Sequence, residues 1–155
     1  MSKTAMIKTI IAATDGSEAA AKAVALAADL AQKYGAKIVL VHVVEDWGRN
    51  RVPDELQSYA RLEHMEITER DVRQAAADEI LRRAEDDARE HGAADVESLI
   101  EEGSPATRIL AVAKARGADL IVLGSRGLGD LKGLLLGSVS HKVSHLAEVT
   151  CVTVR

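Results

Sequence analysis

The stretch ADLIVLGSRGLGDLKGLLLGSVSHKVSHL, residues 118–146, contains an apolar run, a loop with five glycines and an amphipathic segment, in that order. The run ADLIVLG predicts a strand buried on both faces, as parallel sheets require. The final segment predicts a helix that buries Val139, Val143 and Leu146. Glycine is generally kept where the backbone takes positive φ or approaches another group closely. The stretch therefore predicts a glycine-rich loop between the carboxyl end of a strand and a helix N-terminus.

Apolar, mostly β-branched runs recur along the chain and alternate with helical patterns. Five strands are predicted in this way, at residues 7–13, 37–44, 94–102, 118–124 and 149–154. The strand at 94–102 has the weakest apolar pattern. Two helices carry clear end signals, with caps at Ser17 and Ser104, Pro105 in the first turn, and stops at Gly35 and Gly117. Strand–helix alternation predicts one α/β domain over residues 1–155, a doubly wound five-stranded parallel sheet with helices on both faces.

Residues 45–92 depart from this alternation, because a polar loop is followed by one long, charge-rich helical stretch. Val72, Ala76, Ile80 and Ala84 repeat every four residues and predict a narrow buried stripe. The charged residues are interpreted as a solvated outer face, with a partner-binding helix as the alternative.

Composition excludes several classes of function. The net charge is −4 with no basic stripe, and aromatic residues make up 2%, which argues against binding duplex or single-stranded nucleic acid. The N-terminal apolar run is too short for a signal sequence or a membrane span, so we expect a cytoplasmic protein. The single cysteine, Cys151, excludes an internal disulfide and is expected to be a buried structural thiol.

The glycine loop is expected to bind phosphate. Ligands of open α/β sheets bind outside the carboxyl ends of the strands, and a helix N-terminus offers N–H groups and partial positive charge to an anion. The hydroxyls of Ser138 and Ser140 would add donors, and Arg126 and Lys132 would add positive charge. We expect positive φ at the loop glycines Gly127 and Gly137.

A second strand end points to the same region. In AATDGSEAA, Thr14 and Asp15 follow the first predicted strand, and the Asp15 carboxylate could accept hydrogen bonds from a ribose or reach a phosphate-bound metal. The alternative is that Asp15 and Ser17 only cap the next helix. The chain has neither a Walker P-loop nor a G-x-G-x-x-G after its first strand, which argues against those two nucleotide sites.

The glycine spacing, G-x2-G-x9-G-S from Gly124 to Ser138, occurs together with TDGSE and HVVE at two other strand ends. This combination resembles the nucleotide-binding branch of the universal stress protein family, over nearly the whole chain. The resemblance implies a Rossmann-like α/β fold, usually dimeric, that binds ATP, with Mg²⁺ as an optional companion, and serves as a nucleotide-dependent stress-response or regulatory module.

The resemblance also implies roles for individual residues. Ala13, Thr14 and Asp15 would flank the adenosine, with Asp15 near the ribose. Val43 would hold adenine through its backbone. Leu123 and Gly124 would border the ribose. The phosphates would be cradled by Arg126, Gly127, Gly137, Ser138, Val139 and Ser140.

The remaining candidates carry less weight. His141 and His145 have an i, i+4 spacing that metal sites use, but they should face solvent without an acidic third ligand, so no metal site is assigned. His42 is interpreted as a packed core or near-site residue, with a general base as the alternative. No catalytic residue is assigned, since phosphoryl transfer needs an oriented nucleophile and no base is evident. Binding is therefore preferred, with a slow ATPase or an autophosphorylating phosphotransferase as the alternative.

The last strand predicts how the chain assembles. Residues 149–155, VTCVTVR, should form a sheet edge on which only Arg155 is charged. Uncharged apolar edges are normally paired or covered. We therefore expect a homodimer in which two copies of this strand pair across a two-fold axis. The sequence is compatible with a protein partner but does not identify one.

Overall fold

The computed structural model describes residues 6–45, 54–64, 67–127 and 137–155. The described residues form five strands, β1 (Thr9–Ala13), β2 (Lys37–Val44), β3 (Val96–Glu102), β4 (Leu120–Gly124) and β5 (Thr150–Val154). They also form five helices, α1 (Glu18–Tyr34), α2 (Asp54–Leu62), α3 (Glu69–Glu90), α4 (Pro105–Ala115) and α5 (Ser138–Leu146).

The strands form one parallel sheet in the order β3-β2-β1-β4-β5. Alternate strand residues enter two separate cores. Ile10, Ile38 and Leu40 pack with α1 and α3, whereas Ile11 and Val39 pack with α4 and α5 on the other face. Burial on both faces explains the near-continuous apolar runs. The predicted doubly wound sheet with helices on both faces is confirmed.

The two helices with clear end signals begin and end where the sequence predicts, although Ser104, at the N-cap position of α4, makes no side-chain cap hydrogen bond. Ser17 caps α1 by accepting the Ala20 N–H at 3.2 Å, and Gly35 ends the helix with φ +65°. Pro105 opens α4, and Gly117 follows it with φ +58°. In the part of the chain that is described, no helix is both long and apolar enough to cross a membrane.

The charged segment differs from its prediction, because it contains two helices, α2 and α3, rather than one. The buried residues of α3 are Ala77, Leu81, Ala84 and Ala88, and Ala76 of the predicted stripe is exposed. A strict four-residue repeat drifts around a helix with 3.6 residues per turn, so mixed spacings of three and four are needed to stay on one side. The charged outer face is confirmed, with Glu79 paired to Arg82 and Arg83. Residues 46–53 of the predicted loop lie outside the described residues.

Helix α5 buries Val143 completely and Val139 partly, but Leu146 is 52% exposed. The expectation that Leu146 belongs to the buried face is therefore wrong. Leu146 is the last residue of the helix and lines an open groove with Leu110 and Val149, beyond the edge of the core.

Gly124 allows β4 and α1 to touch. A Cβ atom at Gly124 would lie 2.9 Å from the carbonyl carbon of Ala19 and 2.9 Å from the main-chain nitrogen of Ala20. Real Cβ atoms do not approach backbone so closely, and the two backbone atoms cannot rotate away. Close approach, rather than positive φ, is the reason for glycine at this position.

Gly124→Ala should lower the free energy of unfolding by about 1–3 kcal/mol, since the added methyl overpacks the contact between β4 and α1. Urea denaturation would measure the loss. The comparison variant is Gly117→Ala, where the position has open space and only the φ of +58° is unfavourable. A Gly124→Ala protein as stable as wild type would contradict the close-approach explanation.

Candidate functional site

The β1–α1 turn, residues Thr14–Ser17, is held by a local set of hydrogen bonds. The Thr14 N–H donates to the Val41 carbonyl at 2.9 Å, continuing the ladder between β1 and β2. Thr14 Oγ1 accepts the Gly16 N–H at 3.2 Å, and Asp15 Oδ1 accepts the Ser17 N–H at 2.9 Å. Asp15 and Ser17 therefore do shape the start of α1. A carboxylate has about four acceptor positions, so this role is compatible with accepting a ligand hydroxyl as well.

Helix α3 covers this turn. Gly16 has φ +82°, a conformation that favours glycine, and Ile80 Cγ1 lies 3.2 Å from the position that a Cβ on Gly16 would occupy. The Ile80 side chain thus packs directly on the turn that carries Asp15. Ile80 was assigned to the core stripe of α3 from the sequence, which gave no sign of this second contact.

The β4–α5 loop is described at its two ends, Ser125–Gly127 and Gly137–Ser140, and the intervening residues, including Lys132, lie outside the described residues. The two ends are bonded to each other. The carbonyl of Ser125 accepts the Gly137 N–H at 2.5 Å and the Ser140 hydroxyl at 2.6 Å. The Ser125 N–H in turn donates to the Val154 carbonyl of β5 at 2.6 Å. The first turn of α5 is therefore fastened to the end of β4.

This arrangement corrects two expectations. Ser140 is 2% exposed and its hydroxyl hydrogen points inward, so the hydroxyl holds the loop and does not supply a donor for phosphate. Gly137 has φ −74° and ψ 170°, so the expected positive φ is wrong there. The sequence pattern does not show that Ser140 and Gly137 are buried. Their burial follows from their hydrogen bonds to the Ser125 carbonyl. Gly127 and Arg126 lie at the end of β4, and Arg126 is exposed.

The first turn of α5 presents main-chain N–H groups at the β4–α5 loop. The N-cap residue is Gly137, no side chain of the described residues makes a cap hydrogen bond there, and the first turn has no acidic residue. The N–H groups of Ser138, Val139 and Ser140 belong to the first turn, where α-helical geometry supplies no acceptor. The helix dipole adds partial positive charge at the same place.

The two loops lie side by side at the point where the strand order reverses. Ala12 is opposite Val122 in the ladder between β1 and β4, so Ala13 and Thr14 continue alongside Leu123 and Gly124. Chain connections leave β1 toward β2 and β4 toward β5, in opposite directions across the sheet. Such a reversal opens a crevice at the carboxyl ends of the strands.

Val43 directs main-chain groups toward this crevice. In a parallel ladder the N–H and C=O of one residue point to the same side, and the side alternates along the strand. Val41 bonds toward β1 and Val44 bonds toward β3, through Thr14 and Gly103 respectively. Val43 therefore faces the side of β1, just past the residue at which β1 ends.

His42 lies beside the same turn, with Nδ1 2.9 Å from the Thr14 carbonyl oxygen. The sequence left open whether His42 is a core or a near-site residue, and the structure places it next to the site.

Known proteins resemble this chain in both sequence and fold. The model of the universal stress protein family matches residues 6–155. The chain belongs to the universal stress protein family. Universal stress protein YxiE of Bacillus subtilis is 37% identical, over 97% of this chain and 100% of that protein. The structure of UspA from Lactobacillus plantarum superposes with a TM-score of 0.77 at 25% identity, covering 98% of this chain and 100% of the other. A universal stress protein in complex with cAMP has a TM-score of 0.66 at 27% identity, with coverage of 96% and 97%.

Three further residues singled out from the sequence of this universal stress protein are His141, His145 and Cys151. His141 and His145 are exposed and their rings stack, with centroids 6.3 Å apart. Within the described ranges, no three His, Cys, Asp or Glu side chains are grouped so that they could hold a metal ion. Cys151 is half-buried rather than fully buried, and burial raises the pKa of its thiol.

Ser140→Ala should lower the free energy of unfolding by about 1 kcal/mol, since it removes a buried hydrogen bond while the Ser125 carbonyl keeps its bond from Gly137. Ser138→Ala is the matched control, because Ser138 is exposed and its change should stay within about 0.5 kcal/mol. Urea denaturation of both variants would test the pair. Equal losses would contradict the assignment of Ser140 as the residue that fastens the loop.

Proposed function

We propose that this protein binds an adenine nucleotide, with ATP as the main ligand, in the crevice between the carboxyl ends of β1 and β4, and acts as a nucleotide-dependent regulatory module of the stress response. The observation that carries the proposal is the first turn of α5, which has a glycine N-cap and is fastened to the end of β4, the strand beside β1. The related structure in complex with cAMP supports a ligand of this class.

The triphosphate is assigned to the β4–α5 loop. Main-chain N–H groups of Ser138, Val139 and Ser140 would donate to phosphate oxygens, and Gly127 and Gly137 keep side chains out of the way. Arg126 adds a full positive charge at the mouth. Each charge-assisted hydrogen bond contributes about 1.5–3 kcal/mol, so a few of them with adenine burial are consistent with a micromolar Kd, which corresponds to about −8 kcal/mol.

The base and the ribose are assigned to the β1 and β2 ends. Val43 offers one N–H donor and one carbonyl acceptor side by side, which matches an adenine edge that carries a ring-nitrogen acceptor and the N6 amino donor. Guanine places the O6 acceptor where adenine has its amino group, so the Val43 carbonyl would oppose it. Asp15 would accept from the ribose hydroxyls, with Ala13, Thr14, Leu123 and Gly124 along the sugar.

Mg²⁺ is an optional companion of the nucleotide. This ion keeps several waters and is usually bound through substrate phosphates with one or two carboxylates. Asp15 is suited to supply such a carboxylate, so the site needs no separate cluster of protein ligands.

Ser138→Asp provides the sharpest test, because it should affect folding and binding in opposite directions. An acidic residue in the first turn stabilises a helix by about 0.3–1 kcal/mol. The same carboxylate would repel the triphosphate and occupy its N–H donors. We expect ATP affinity to fall at least tenfold in calorimetry, while the free energy of unfolding is unchanged or higher.

Three controls accompany this variant. The asparagine in Ser138→Asn has nearly the same shape as aspartate but carries no charge, so this variant should weaken ATP binding much less. Thr107→Asp adds the same charge to an exposed first-turn position of α4 and should leave ATP binding unchanged. Adenosine, which lacks phosphates, should bind the wild type and Ser138→Asp alike. Undiminished ATP binding by Ser138→Asp would refute the phosphate assignment.

We further propose that two copies pair through β5. The two edge strands of the sheet are β3 and β5. The β3 edge carries Glu97 and Glu101, and the hydrogen bonds from Arg116 and Lys37 lower the pKa of Glu97 to about 2. The β5 residues Thr150–Val154 carry no charge. Charged edges resist pairing and uncharged ones promote it, so β5 is the favoured interface.

Thr153→Pro tests this interface without disturbing the sheet. Val154 bonds toward β4 through Ser125, so the alternating Thr153 directs its N–H outward. Proline is tolerated on an edge strand where that N–H faces away from the ladder. Sedimentation equilibrium at micromolar concentration should show a dimer for wild type and for Thr153→Ala, and a monomer for Thr153→Pro. A monomeric wild type, or a dimeric proline variant, would contradict the proposal.

A further inference from the structure

His42 connects β2 to the turn that carries Asp15. It is half-buried in a strand, KIVLVHVV, whose other residues after Lys37 are all apolar. Its Nδ1 lies 2.9 Å from the carbonyl oxygen of Thr14, 28 residues away in the sequence. A carbonyl oxygen can only accept, so Nδ1 carries the hydrogen and donates it.

This bond fixes one particular peptide group. The Thr14 carbonyl belongs to the peptide that joins Thr14 to Asp15, so its direction sets the orientation of the Asp15 Cα. The other bonds of the turn act elsewhere: the Thr14 N–H is held by Val41, and the Gly16 and Ser17 N–H groups are held by side chains within the turn. Ile80 packs on Gly16 from α3. The His42 bond is therefore the one among these that reaches the Thr14–Asp15 peptide from another strand.

We infer that His42 is a positioning residue for ribose recognition: its Nδ1–H holds the Thr14–Asp15 peptide so that the Asp15 carboxylate meets the sugar hydroxyls of the nucleotide. This inference rests on the proposed function. Replacement of a purely structural histidine would weaken the binding of all nucleotides equally. Replacement of a positioning histidine would reduce the preference for a nucleotide with a ribose over one whose sugar lacks the hydroxyls.

The test compares ATP with 2′,3′-dideoxy-ATP by calorimetry on the full chain. Wild type should prefer ATP by at least about tenfold, the effect of one charge-assisted hydrogen bond to Asp15. Asp15→Ala should abolish the preference. His42→Ala should bring the ratio of the two Kd values close to one, and the double variant should show no further change, since both residues act on the same contact.

His42→Asn is the matched control. Its amide nitrogen lies the same number of bonds from Cα as Nδ1 and can donate to the Thr14 carbonyl. It should recover a substantial part of the preference for ATP. Thermal melting of each variant separates lost folding from lost discrimination. Nitrogen NMR of the wild type adds a readout that needs no variant, because Nδ1 should be the protonated ring nitrogen.

The outcomes are distinguishable. An unchanged Kd ratio in a folded His42→Ala protein overturns the role of His42 alone, as does a proton found only on Nε2. A wild type that binds both nucleotides equally overturns the contact between Asp15 and the ribose, and the inference with it. A wild type that binds neither overturns the proposed function itself.

Discussion

The pairing of β1 with β4 is the interaction on which the rest of the structure depends. The sheet grows from β1 to β2 and β3 on one side and from β4 to β5 on the other, so the chain leaves these two central strands in opposite directions. The helices that follow them, α1 and α5, pack on opposite faces. Two neighbouring strand ends thus send their loops apart, and the crevice between them follows from topology before any side chain is specified.

Much of this fold could be predicted from the sequence, because a strand that is buried on both faces of a sheet requires a nearly continuous run of apolar residues. A strand such as KIVLVHVV has apolar residues on both sides, and Ser17 with Gly35 marks the ends of α1 through local hydrogen bonds and backbone conformation. Such signals are local. The side of α3 that is buried depends on tertiary packing, since Ala76 and Ala77 are chemically identical and yet Ala77 is buried and Ala76 is exposed. The exposure of Leu146 likewise depends on tertiary packing, because it is decided by where the core ends.

The candidate site divides in the same way. Its location could be predicted, because glycine spacing and the residues after a strand are properties of the sequence. The bonds that shape it could not. Ser140 and Ser138 are indistinguishable in the pattern, yet one donates to the buried Ser125 carbonyl and the other is exposed. His42 likewise reads as one polar residue in an apolar strand, and only the fold brings it to Thr14.

The proposed recognition through main-chain groups is compatible with a net charge of −4 even though the proposed ligand is an anion. The field at the α5 N-terminus is local, and solvent-exposed charges farther away than about 8 Å are largely screened at physiological ionic strength. Such a site requires a fixed backbone more than particular side chains. The Ser125 peptide provides this, since its carbonyl holds Gly137 and Ser140 while its N–H is held by Val154 of β5. The edge strand β5 therefore supports the β4–α5 loop from within the sheet. Because Cys151 and Thr153 direct their main-chain groups outward, a second copy could pair along β5 without competing for the bond between Val154 and Ser125.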